Sequence, residues 1–168
     1  KVKIVSVTHA SNVFGTINPI KSIVEKAHNY GALVMVDGCQ STPHTKIDVT
    51  DLDCDFFAFS GHKMFGPTGV GVLYGKKEIL QDMPPYQTGG GMIDEVTMEK
   101  STWTSIPHKF EPGSPVSAQV IGLGSAIDFC NTIDNKDLKK QKDLTLYALN
   151  KLNKINGITV YGNAPERT

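Results

Sequence analysis

Apolar residues recur through the first half of the chain in short β-branched runs, separated by stretches with helical spacing. Val2-Lys3-Ile4-Val5-Ser6-Val7 has the composition of a buried strand. Asn18-Pro19 then offers a cap and a first-turn proline, Ile20, Ile23, Val24 and Ala27 follow at helical spacing, and Gly31 stops the helix. Ala32 to Val36 reads as a second strand ending at Asp37-Gly38, and Phe56 to Phe59 as a third ending at Ser60-Gly61-His62-Lys63. Gly71 to Tyr74 reads as a fourth behind a glycine-rich turn. The alternation of strand and helix predicts an α/β fold, a three-layer and mainly parallel sheet with flanking helices.

The pattern then changes. From about Gln81 to Ser117, Gly, Pro, Thr and Ser predominate, which predicts a long irregular segment of functional or interface character. Two helices follow, one over Val116 to Thr132 and one with Leu138, Leu144, Ala148, Leu152 and Ile155 on a single face. Ile158 to Tyr161 is strand-like. Residues 1–132 are expected to form part of one large domain, and 133–168 a linker helix and the start of a smaller α/β domain. The absence of an initial methionine, and a tail at Pro165 to Thr168 without a capping element, predict a piece of a longer protein.

Charge and composition narrow the classes of function. Lys+Arg and Asp+Glu number 17 each, so no bulk charge points to nucleic acid or an anionic membrane. No apolar run approaches the roughly 18 residues that span a bilayer, and no signal peptide is visible. Cys39, Cys54 and Cys130 are scattered without CxxC spacing, which favours neither zinc nor disulfides and fits a reducing cytoplasm.

Ligands of open parallel sheets collect beyond the carboxyl ends of the strands. Three polar clusters fall there: Thr8-His9-Ala10-Ser11-Asn12, Asp37-Gly38-Cys39-Gln40 and Ser60-Gly61-His62-Lys63. Singly, each has an ordinary reading as a turn, a solvated lysine or a satisfied loop histidine. Their sharing of one edge is what points to a site. Gly71 to Lys77 is one residue short of a phosphate loop and lacks the following hydroxyl. Gly69-Val70-Gly71 precedes a strand where a dinucleotide fingerprint follows one. Ser60 and His62 lack a nucleophile elbow, no HExxH spacing occurs, and His28 reads as structural.

A pyridoxal-phosphate (PLP) site accounts for the inventory. It needs a lysine for a Schiff base, an acid for the pyridine nitrogen, a donor to the ring oxygen, and hydroxyl or imidazole donors to the phosphate. Lys63, Asp37, Gln40, and Ser60 with His62 meet those needs in that order. Burial and nearby positive charge would help such a lysine lose its proton.

Thr8 to Gly15, Val36 to Gln40, Phe59 to Gly69, Gly89 to Ile93 and Phe110 to Pro115 together resemble the class V aminotransferase family. Within it, they are most similar to the Suf-type cysteine desulfurases, also described as selenocysteine lyases. The Ser-Gly-His-Lys block is the specific part, and the resemblance runs through essentially the whole chain. It implies the large domain of a fold type I PLP enzyme, a cytoplasmic homodimer with sites at the subunit interface. It further implies that Lys63 binds the cofactor and shuttles the substrate α-proton, while Asn12 lies near the substrate carboxylate. Ser114, where the family usually has threonine, would reach the phosphate of the partner subunit's cofactor.

The implied reaction converts L-cysteine, or L-selenocysteine, to alanine. Sulfur would pass through a persulfide to a Suf-type acceptor protein for iron–sulfur cluster assembly. The family's catalytic cysteine and substrate arginine lie later in the polypeptide, and its ring-stacking histidine earlier, so this segment alone is expected to be inactive. Cys39 stands for the usual alanine and reads as packing, and Arg167, the only arginine, does not match the substrate arginine. Two other readings stay open: another class V PLP enzyme (aminotransferase, kynureninase-like or epimerase), and a non-catalytic α/β association domain.

Overall fold

The computed structural model describes residues 1–162, 164, 166 and 167. A four-stranded sheet is ordered β1 (Ile4–Thr8), β2 (Leu33–Asp37), β3 (Phe56–Ser60), β4 (Gly71–Gly75). β1, β2 and β3 are mutually parallel, and β4 returns antiparallel beside β3. The fold is a mixed α/β arrangement on a mainly parallel sheet, as the alternation predicts.

α1 (Ile20–Asn29) covers one face of the sheet. Ile20, Val24 and Ala27 fall at helical spacing and are buried against Ala32, Val34, Val36 and Phe57. Gly31, at φ 69°, takes the left-handed turn that ends α1 and starts β2. Asn18 does not cap the helix: its side-chain amide donates instead to the Thr8 carbonyl at 2.8 Å. The short α2 (Val49–Leu52) is capped by Asp48, which accepts the Thr50 and Asp51 N–H groups.

β1 is not the buried strand that its composition predicts. It lies at the sheet edge with alternating exposure, and Ile4 is 52 % exposed. Val5 and Val7 pack toward α1, while the opposite face of β1 meets no covering layer among the described residues. Burial of a parallel strand needs cover on both faces, and here only one is supplied.

The segment after β4 is more ordered than its composition predicts. α3 (Lys77–Asp82) follows at once, and β5 (Ile93–Val96) pairs with β6 (Ser101–Trp103) as an antiparallel hairpin. The Glu95 N–H donates across the strands to Thr102 Oγ1, and the Thr102 hydroxyl donates to Asp94, which supplements the ladder of strands whose sequence lacks apolar alternation.

α4 (Ser117–Thr132) packs on the 3₁₀ turn Gly61–Met64 through buried Leu123 and Ala126. α5 (Asn135–Leu152) begins with a capping box between Asp134 and Asp137. Its half-buried face is Leu138, Gln141, Thr145 and Leu149, with Gln141 bonded to His44. Leu144, Ala148, Leu152 and Ile155, assigned to the packed face from sequence, are exposed. Ile158 to Tyr161 forms no strand, having no ladder partner among the described residues. The tail instead returns to the Ser11–Asn18 loop, where the Ile17 N–H donates to the Glu166 carbonyl at 3.1 Å. Pro165 and Thr168 lie outside the described residues.

Candidate active site

The parallel register gathers the polar clusters. Thr8 is paired with Asp37, and Asp37 with Ala58, two residues before Ser60. Bonds continue the ladder past the strand ends: His9 N–H to Asp37 carbonyl and Gly38 N–H to Ala58 carbonyl, both 2.8 Å. The carboxyl ends of β1, β2 and β3 therefore form one ledge.

Each side chain on the ledge is aimed by local backbone chemistry. Gly38 must be glycine, because a Cβ there would stand 1.9 Å from the Phe57 ring. Its carbonyl accepts the Thr42 N–H at 2.9 Å and the Thr42 hydroxyl at 2.8 Å, which curls the chain just after Asp37 and places Gln40 in the curl. The Asp37 carboxylate accepts the Cys39 N–H at 2.9 Å and is otherwise exposed. The Cys39 thiol lies 3.5 Å from the Ser60 hydroxyl, joining the second cluster to the third.

Gly61 to Met64 is a 3₁₀ turn in which residues three apart share a side. Gly61 and Met64 point inward and are buried, so His62 and Lys63 between them face solvent. Lys63 is thus exposed in this chain, because α4 packs on the Gly61 and Met64 side of the turn and no described element covers the other side. Asn12 sits on a loop pinned by Ser11, whose hydroxyl accepts the Val13 and Phe14 N–H groups.

Ser114 is not brought to this ledge. It lies on an arm held to the glycine triplet, where the Gly113 N–H donates to the Gly90 carbonyl at 2.8 Å. An open cleft of about 500 Å³ lies between Tyr86 to Gly89 and Pro112-Gly113. A larger cleft of about 520 Å³ runs between Thr42 to Ile47, Met64 and the end of α4, and none of the predicted site residues lines it.

His9 has a setting that its sequence position alone did not reveal. It is 9 % exposed, and its Nδ1 has no hydrogen-bond partner among the described residues. Burial holds its imidazole below the usual histidine range, which favours the neutral ring. The signal available in sequence was strand alternation: His9 continues the inward phase of Val5 and Val7. Burial raises the Cys54 and Cys130 thiols, so neither is a ready thiolate. Among the described residues no cluster of His, Cys, Asp and Glu could hold a metal ion, and no helix is long and apolar enough to cross a membrane.

The donor set fits PLP. An exposed carboxylate and an exposed amine stand at adjacent strand ends. Among the described residues, the side chains of Asn12, Gln40, His62 and Lys63 are committed to no hydrogen bond. The class V aminotransferase family model matches the sequence over residues 1–168. The chain belongs to the class V aminotransferase family. Enzymes of this family depend on PLP.

As a class V chain it has close relatives. It is 57 % identical to a probable cysteine desulfurase of Halalkalibacterium halodurans over 163 residues, covering 96 % of this chain and 40 % of the relative. Among solved structures it matches the cysteine desulfurase CsdA of Escherichia coli with a TM-score of 0.87 and 42 % identity, over 92 % of this chain and 39 % of that one. The apo cysteine desulfurase of Thermococcus onnurineus matches at 0.80 and 35 %, over 90 % and 39 %. The chain thus spans about 40 % of the length of the curated relatives it matches.

Proposed function

We propose that this chain carries the cofactor-anchoring part of a PLP-dependent cysteine desulfurase. The observation that carries the reading is Asp37 at the carboxyl end of β2 and Lys63 just beyond that of the adjacent parallel strand β3, with the Lys63 amine and the Gln40 amide uncommitted among the described residues. Its relatives named cysteine desulfurases support the choice within the class V family.

PLP, when bound, supplies an electron sink that stabilises negative charge developing at the substrate α-carbon. The chain's residues do the rest. Lys63 Nζ would hold the cofactor covalently, and its amine would serve as the general base and acid for the substrate α-proton. The Asp37 carboxylate would keep a proton on the pyridine nitrogen, and the Cys39 N–H orients that carboxylate. The Gln40 amide would donate to the ring oxygen. Ser60 and His62 would donate to the phosphate, and Ser114 would do so for the cofactor of a second copy. Asn12 orients the substrate carboxylate.

In the whole protein, residues 1–132 belong to the large domain, and 133–168 are a linker helix and the start of a small domain. The substrate is L-cysteine or L-selenocysteine. The enzyme is a cytoplasmic homodimer of Suf type, and it passes persulfide sulfur to an acceptor protein for iron–sulfur cluster assembly. The thiol that receives the sulfur lies outside these residues. Absorbance titration with PLP tests the reading: the wild-type protein is expected to develop a Schiff-base band that Lys63→Ala abolishes. A band retained in that variant would remove Lys63 from its role. Failure of the full-length protein to release alanine from cysteine would move it to another reaction of the family.

A further inference from the structure

One buried cation fastens the Ser114 arm to the main sheet. The arm runs from Thr104 to Pro115. It is tied at its start by the Thr104 N–H to the Met92 carbonyl at 3.0 Å, and near its end by Gly113 to Gly90. Between these ties, Lys109 sits in the 3₁₀ turn His108–Phe110 and is only 8 % exposed. Its Nζ donates to the Gln81 carbonyl at 2.8 Å and lies 5.2 Å from the Phe110 ring centroid. Among the described residues no carboxylate pairs with it.

Withdrawing an ammonium from water without a counter-ion is costly, and an ordinary loop lysine avoids it. What Lys109 gains is a specific attachment. Gln81 is in the last turn of α3, whose carbonyls lack intrahelical partners and favour a cation. α3 is packed directly on β4, for Leu80 leaves no room for a Cβ at Gly75. Lys109 therefore links the arm to the sheet that carries Lys63.

We propose that Lys109 is a positioning residue for Ser114, setting where that hydroxyl stands relative to the phosphate held by a second copy. The inference rests on the PLP and Ser114 roles given above. The test uses the full-length dimer and reads PLP affinity by absorbance titration, with a melting curve beside each variant. Lys109→Met keeps the stem and loses the donor, and it is expected to weaken PLP binding about tenfold, the scale of one charge-assisted bond misplaced. Lys109→Arg restores most of the affinity. Ser114→Ala costs a similar factor, and the double variant is no worse than Ser114→Ala alone, because both act through one contact.

The decisive arm is a heterodimer in which one subunit carries Lys63→Ala, so that the Schiff-base band reports the other. Placing Lys109→Met in the Lys63→Ala subunit is expected to weaken the band's affinity, and placing it in the reporting subunit is expected to leave it unchanged. Should Lys109→Met not fold, the shorter, uncharged Lys109→Gln carries the same comparison. Weakening confined to the reporting subunit overturns the proposal, as does an additive double variant or an unchanged affinity. A wild-type dimer that binds no PLP overturns the cofactor reading itself. Normal affinity in Ser114→Ala removes the Ser114 role while leaving the Lys63 ledge standing.

Discussion

The two ends of β3 are finished in opposite ways. At the amino end, Asp55 is 3 % exposed, and every strong partner it needs is present. Its carboxylate accepts the Val34 N–H at 2.7 Å and pairs with His28 at 2.8 Å and Lys76 at 3.3 Å, while Lys76 also holds Asp53 at 2.6 Å. Burial pushes the Asp55 carboxyl up, but the bonds from His28, Val34 and Lys76 outweigh it and hold the group below the usual carboxylate value. At the carboxyl end, Ser60 is half-buried, while His62 and Lys63 are exposed and their side chains have no partner among the described residues. Satisfied polar groups stabilise a fold; uncommitted ones on a rigid ledge are free to bind. The same strand supplies both, and only the partners differ.

The sharpest way to break this contrast is at Lys63. Lys63→Ala is expected to abolish the Schiff-base band yet leave stability within about 0.5 kcal/mol, as for other exposed positions; a melting curve and a PLP titration on the same sample read both. Asp55→Ala should do the reverse. It strands the buried Val34 N–H and is expected to cost about 1–3 kcal/mol in urea unfolding, with PLP affinity preserved wherever the protein is folded. If Asp55→Ala left stability intact, the amino end would not be the structural anchor described.

Acid separates the ends more gently. Because Asp55 has a lowered folded-state pKa, its stabilisation is complete above the unfolded carboxylate value of about 3.9 and fades as pH falls through the folded value. Asp55→Asn should flatten that part of a stability-versus-pH curve. His9, also lowered, favours folding above its unfolded value of about 6.5; stability declines as pH drops below that, since the unfolded chain takes the proton more readily. His9→Asn should remove that earlier decline, measured by urea midpoints from about pH 7.5 to pH 5. The smallest effect is expected at Cys39. Cys39→Ala removes the 3.5 Å thiol contact to Ser60 and should alter stability by less than about 1 kcal/mol, with alkylation of the wild-type thiol showing how accessible it is.

Much of the four-stranded sheet and α1 was legible in the chain because its signals are local. β-branched runs, a helix with Ile20, Val24 and Ala27 in phase, and Gly31 at the boundary each specify an element through neighbours a few residues away. The hairpin β5–β6 was not legible: its pairing is a backbone ladder supplemented by Thr102, and no apolar alternation marks the strands. Nor was the packed side of α5, where Gln141 meets His44, a residue 97 positions away.

The candidate site divides along the same line. The residue types at the strand ends, and the Ser-Gly-His-Lys block above all, were legible in the sequence, since the proposed Schiff-base lysine and pyridine-nitrogen acid are demands on side-chain chemistry. Only the tertiary structure decided which of them share a ledge, because parallel register brings Thr8, Asp37 and Ala58 side by side from positions far apart in the chain. It also decided that His9 is buried, that Lys63 is exposed, and that Ser114 stands apart on an arm secured by Lys109. Burial and partnership are properties of the space around a residue, and that space is built by the rest of the fold.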